Sequence, residues 1–141
     1  MKITSSAHRD AQVLTVEGAV GPAQMTQLRA ALQSELVREV GGDVILDVRR
    51  VGSFDDEVLM VLTAGRTLGK SRRRRIVVVD DAGGATCRSL RRSGQIFRFP
   101  VYPDVDAASA ALVFERRALD SINPVVRVQV VDLEGGRQRL R

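Results

Sequence analysis

The sequence predicts an α/β fold, on three observations. Apolar runs of strand length alternate with segments of helical period through the middle of the chain. The central runs show little polar alternation, the pattern of strands covered on both faces. Gly, Pro and Asp punctuate the junctions between the two kinds of segment. Strands that alternate with helices imply parallel pairing through crossover helices.

The elements follow in order. "MKIT" is a short strand, joined through the polar turn "SSAHRD" to "AQVLTVEGAV" (11–20), which alternates and stops at Gly18. Gly21-Pro22 opens a helix, because proline suits the first helical position. Met25, Leu28, Leu32, Leu36 and Val40 then recur at steps of three and four, so 22–40 reads as an amphipathic helix ended by Gly41-Gly42. "DVILDV" (43–48) is a central strand. A helix runs from near Asp56 to about Leu68. "RRIVVVDD" (74–81) is a second central strand. "GGAT" leads into a helix over 85–93 that Gly94 ends, and "RFPVY" is a short extended piece. Asp104 or Asp106 caps a last, alanine-rich helix to about Leu119. Pro124 is expected to stop it. Val126, Val128 and Val130 alternate with Arg127 and Gln129, which predicts one more strand before a basic, fraying end. The organisation expected is one domain over 1–120 and an extension over 121–141, with an extra strand and a basic tail.

Composition bounds the function. The chain has 141 residues, enough for one domain with its own core. With four Phe, one Tyr and no Trp, Val and Leu have to fill that core. No apolar run approaches the ~20 residues of a membrane helix, and the N-terminal segment has no apolar signal region, so a cytoplasmic protein is expected. A single cysteine, Cys87, excludes an internal disulfide framework and a Cys-based zinc site. The net charge of +5 is carried almost wholly by arginine. That permits nucleic acid, anionic lipid or an acidic protein as partner and selects none.

Chemistry-bearing motifs are few. Asp55, Asp56 and Glu57 stand together before an apolar run. At a helix start they face free backbone N–H groups and the positive end of the macrodipole. Asp55 suits the N-cap, and Asp56 and Glu57 the first turn. Capping accounts for Asp55 better than for three adjacent acids, which repel one another. Paired catalytic carboxylates need facing positions, and consecutive residues fan apart. No catalytic residue is therefore assigned. His8, the sole histidine, reads as a solvated imidazole in a turn; no metal site and no Ser-His-Asp arrangement is expected. "VVVDDAGG" looks like the opening of a receiver domain, but too little chain follows. "GGAT" could hold a phosphate at a helix start, yet lacks the lysine and spacing of a P-loop, and reads better as a turn. "RTLGKSRRRR" is the densest charge block. Arg72, Arg73, Arg74 and Arg75 form a basic contact patch for nucleic acid or simply a solvated helix–strand connection, the reading favoured because no aromatic residues interleave.

Four stretches together resemble the STAS domain family of bacterial anti-sigma factor antagonists. They are "VLTVEGAVGPAQMTQLRAAL", "VILDVRRVGSFDDEVLMVL", "RRIVVVDDAGGATCRSLRRSGQIFRFPVY" and "PDVDAASAAL". The resemblance lies in their order and spacing, over residues 1–115. It implies a STAS-like fold: a central mixed β-sheet of about four to six strands with about four α-helices. It implies an anti-sigma factor that is also an ATP-binding serine kinase as protein partner; no convergent nucleophile, base and oxyanion set is visible in the sequence, so no enzymatic activity and no cofactor are expected. That kinase phosphorylates a Ser at the start of the family's second helix, and the modification blocks binding. Alignment places the family's Asp-Ser on Asp55 and Asp56, and the small residues that follow on Glu57 and Val58. The family's Leu-Asp after the first Gly falls on Val20-Gly21.

The departure at Asp56 has a chemical consequence. A serine kinase makes no phosphoester on a carboxylate. Asp56 carries about one negative charge where phosphoserine carries about −1.5 to −2 and three acceptor oxygens. The expectation is a phosphomimetic, non-phosphorylatable regulatory module in a partner-switching circuit controlling a sigma factor, with Ser53, Asp55, Asp56, Glu57 and Val58 as its regulatory loop. Ser53 could take a phosphate instead, though it reads better as a turn residue. The alternatives are a STAS accessory subunit in lipid transport, in a stressosome-like assembly or in nucleotide sensing, and a basic nucleic-acid-binding protein. Fold alone does not choose among them.

Overall fold

A computed structural model of the chain describes residues 1–134, with side chains described through residue 119. It falls into two compact units, Met1–Ser109 and the segment from Ala110 onward.

The first unit is built on one five-stranded mixed sheet, ordered β1-β2-β3-β4-β5. Strand β1 (Lys2–His8) pairs antiparallel with β2 (Ala11–Val20), from Lys2 opposite Glu17 to His8 opposite Ala11. The stretch "SSAH", expected as a turn, belongs to this strand. Its polar residues fit because β1 is an edge and largely exposed. Ser5 also donates from Oγ to Glu35 Oε2 at 3.0 Å, which gives the edge a polar anchor. Strands β3 (Val44–Phe54), β4 (Ile76–Val79) and β5 (Val101–Tyr102) follow in parallel.

Strand β3 outruns the expected 43–48. Only Val44–Asp47 lie between two neighbours; from Glu17↔Arg50 to Val20↔Phe54 it pairs with β2 alone. Along that half Arg49, Arg50, Gly52 and Ser53 are exposed, while Val51 and Phe54 are buried. Ser53 therefore sits in a strand, opposite Ala19, and not in a turn.

Helix α1 (Met25–Leu36) enters through a 3-10 turn, Pro22–Gln24, in which the Gly21 N–H donates to Gln24 Oε1 at 2.8 Å. It stops four residues before Val40, which is 88% exposed. Arg74 supplies the reason. Its Nη1 donates to the carbonyls of Leu36 (2.8 Å) and Glu35 (3.3 Å), and its Nη2 to that of Arg38. A guanidinium takes the free C-terminal carbonyls and closes the helix. Helix α2 (Leu59–Ser71) carries Gly69 where it meets the same arginine: a Cβ there would lie 2.5 Å from the Arg74 carbonyl oxygen.

Helix α3 is Ala85–Arg92, and the chain leaves it through Gly94 at φ +74. The core joins Leu14, Val16, Leu46 and Val78 of the sheet to Leu28 and Leu32 of α1, Val61 and Leu62 of α2, Leu90 of α3, and Phe99. Ile45, Val77 and Val79, on the opposite face by alternation, are also buried. The central strands are thus covered on both sides, as their unbroken apolar pattern predicts.

Helix α4 (Val105–Glu134) corrects the reading of the C-terminal segment. The chain stays helical through Pro124, and residues 126–130 are helix, not strand. Val126, Val130 and Leu133 also recur at steps of four and three, so a five-residue alternation there fits both periods. The basic tail over 135–141 lies outside the described residues.

Candidate functional site: the acidic helix start and the third helix

The acidic stretch forms a 3-10 turn, Asp56–Val58, between β3 and α2. The Asp55 N–H donates to the Val20 carbonyl at 2.9 Å, which pins the turn to β2. Asp55 is the N-cap: its backbone is extended (φ −79, ψ 136) and its Oδ1 accepts the Glu57 N–H at 3.1 Å. Val58 is fully buried and belongs to the core, so it anchors the loop and offers no contact surface. Glu57 is exposed.

Asp56 turns toward α3. Its Oδ1 accepts from Ser89 Oγ at 2.5 Å and from Arg92 Nη2 at 2.6 Å, and its Oδ2 accepts from Arg92 Nε at 3.1 Å. A planar guanidinium thus grips the carboxylate with two donors. Arg92, and then the Ser89 hydroxyl, hold the Asp56 carboxyl below the usual carboxylate range, and the same contact raises Arg92. Ser89 is fully buried, whereas the Arg92 side chain is 57% exposed. The acid is therefore sewn to the neighbouring helix and its charge is compensated within the chain.

One turn further along α2, Met60 is 64% exposed, and Phe97, in the turn before β5, is 92% exposed. Arg66 Nε donates to the Arg98 carbonyl at 3.1 Å, tying α2 to that turn.

The start of α3 has its own acid. Asp80, at the end of β4, is nearly buried; Oδ1 accepts the Asp81 N–H (2.9 Å) and Oδ2 the Cys87 N–H (3.0 Å). Burial pushes its carboxyl up; the two N–H groups oppose this, and Asp81 and Asp47 add to it. Gly84 is required here, because a Cβ would lie 2.1 Å and 2.3 Å from the two carboxylate oxygens. "GGAT" is thus the turn and helix start that the sequence favoured, and its Gly84 also makes room for an internal carboxylate.

The other singled-out residues are dispersed. His8 Nε2 lies 3.3 Å from Asp106 Oδ1, so the imidazole faces the first turn of α4 and is not simply solvated. In the arginine run, Arg74 closes α1, and Arg75 donates to Asp43 from its backbone (2.8 Å) and from Nη2 (3.0 Å). The Arg74 and Arg75 guanidinium groups are thus committed inside the fold. Ser89 and Arg92 escaped the sequence reading. Their three-residue spacing on α3 puts them on one face, but nothing in the sequence aims that face at residue 56.

The family model described as "Mlab, STAS domain" matches residues 3–95. The chain belongs to the STAS domain family. Solved structures agree. An anti-sigma factor antagonist from Mycobacterium paratuberculosis is 26% identical, with TM-score 0.69 over 79% of this chain and 92% of that one. The Bacillus cell fate determinant SpoIIAA in its phosphorylated form is 12% identical, with TM-score 0.60 over 78% of this chain and 99% of that one. Moorella thermoacetica RsbS carrying a serine-to-glutamate substitution is 13% identical, with TM-score 0.67 over 83% of this chain and 99% of that one. The last two share the fold. No curated protein matches the chain. Among the described residues no helix is long and apolar enough to cross a membrane.

Proposed function

We propose that this protein is a non-enzymatic regulatory interaction module of the anti-sigma-antagonist type, with its switch position fixed as Asp56. The observation that carries the reading is the clamp of Asp56 by Arg92 and Ser89 at the start of α2. A phosphoserine at that point would bring about −1.5 to −2 charges and three acceptor oxygens. Asp56 brings about one, and Arg92 compensates it. With its charge compensated by Arg92, the loop is fixed closer to the unmodified state of an antagonist, a reading that replaces the phosphomimetic state expected from the sequence. The partner proposed is an anti-sigma factor of the ATP-binding kinase type, meeting Asp55, Glu57 and the exposed side of α2 around Met60.

The test is an affinity pull-down from native lysate with wild-type and Asp56→Ser baits, read by mass spectrometry. An ATP-binding anti-sigma-type kinase enriched on the wild-type bait supports the reading. Enrichment only on the serine bait, or of transporter subunits or nucleic acid on both, overturns it. The internal use of Arg74 and Arg75 weighs against the nucleic-acid alternative.

A further inference from the structure

A cavity of about 360 Å³ opens beside the ends of β4 and β5, with Asp56 not among its lining residues. Asp80 and Cys87, both nearly buried, line it together with Ile96, Val101 and Tyr102, and Arg91 stands at its exposed side. Asp80 and Arg91 share this cavity without pairing: the carboxylate is held by the Asp81 and Cys87 backbone N–H groups. Each oxygen of Asp80 keeps a lone pair for a further donor. Burial pushes that carboxyl up, so a donor that favours the charged form would gain from meeting it. At ~30 Å³ per water the space equals about a dozen waters, enough for a compound of about ten to fifteen non-hydrogen atoms.

An acid and a base held apart across an apolar wall define what fits between them. We propose that this cavity binds a small aromatic carboxylate carrying a hydroxyl. Its carboxylate pairs with Arg91, its ring lies against Ile96, Val101 and Tyr102, and its hydroxyl donates to Asp80. This site is separate from the Asp56 loop and stands or falls independently of the function proposed above.

The test is an amide NMR titration of the full chain with 4-hydroxybenzoate, benzoate and 4-hydroxybenzyl alcohol, repeated on Arg91→Gln. Arg91 is exposed, so the variant is expected to fold. Shifts for 4-hydroxybenzoate confined to residues 80–91 and 96–103 are expected. Removing the carboxylate, the hydroxyl or Arg91 should each weaken binding about tenfold. The alcohol should bind wild type and Arg91→Gln equally. No shifts up to about 10 mM, shifts elsewhere, or equal binding of 4-hydroxybenzoate by Arg91→Gln would overturn the proposal.

Discussion

Arg92 Nη2 stands 2.6 Å from Asp56 Oδ1, joining two residues that lie 36 positions apart in the sequence. The contact makes an acid at a helix start into a tie between α2 and α3. Removing the cation leaves the acid in place but loose. For Arg92→Gln, amide hydrogen exchange should rise in both 54–60 and 86–93 while the sheet core stays protected. A rise confined to α3 would show that the tie does not order the loop.

The two acids at this end of the sheet should titrate on opposite sides of the ordinary Asp value of ~3.9. Asp56 is held low by Arg92, and Asp80 is pushed high by burial. Side-chain carboxyl 13C shifts followed from pH 2 to 7 would assign both midpoints. The linkage signs differ. Asp56 adds stability that is full above the unfolded-state value and is lost as pH falls through its lower folded value. Asp80 works the other way: as pH rises from the unfolded-state value through its higher folded value, its ionisation destabilises the fold.

Gly84→Ala should be the most damaging single-methyl addition near the site. The new Cβ would fall on both Asp80 oxygens, which the Asp81 and Cys87 N–H groups hold in place. A loss of about 1–3 kcal/mol is expected from urea unfolding. Gly83→Ala, one residue earlier, meets nothing within 4 Å and is the control.

Arg74→Ala should loosen the end of α1. Three carbonyls lose their donor, at about 1–3 kcal/mol in total because water replaces part of it. The urea midpoint should fall, and exchange should rise over 33–38.

Phe99→Ala tests the core. Phe99 is wholly buried, and its truncation should cost about 3–5 kcal/mol. A much smaller loss would mean that the turn before β5 collapses into the space.

What the sequence revealed and what it hid follow from one distinction. Val44–Val48 and Ile76–Val79 were legible because a strand buried on both faces is mostly apolar, with Asp47 the one buried acid among them. The cap at Asp55 was legible because capping is local. Strand β1 was obscured because an edge tolerates Ser, Ala and His where a central strand would not. Helix α4 ran past Pro124 because a short alternation of valines fits two periods. The partners of Asp56 were hidden for a stronger reason. Ser89 and Arg92 acquire their role only when α3 is laid beside α2, and no local pattern encodes that placement.

The margins of the sheet carry a last consequence. Strand β5 is two residues long, and β1 is a polar, largely exposed ribbon. Neither offers the long, flat, apolar border on which a foreign strand would zip up. The molecule's open backbone is rationed at one side and wetted at the other, so growth into fibrils by strand addition finds no template at either end.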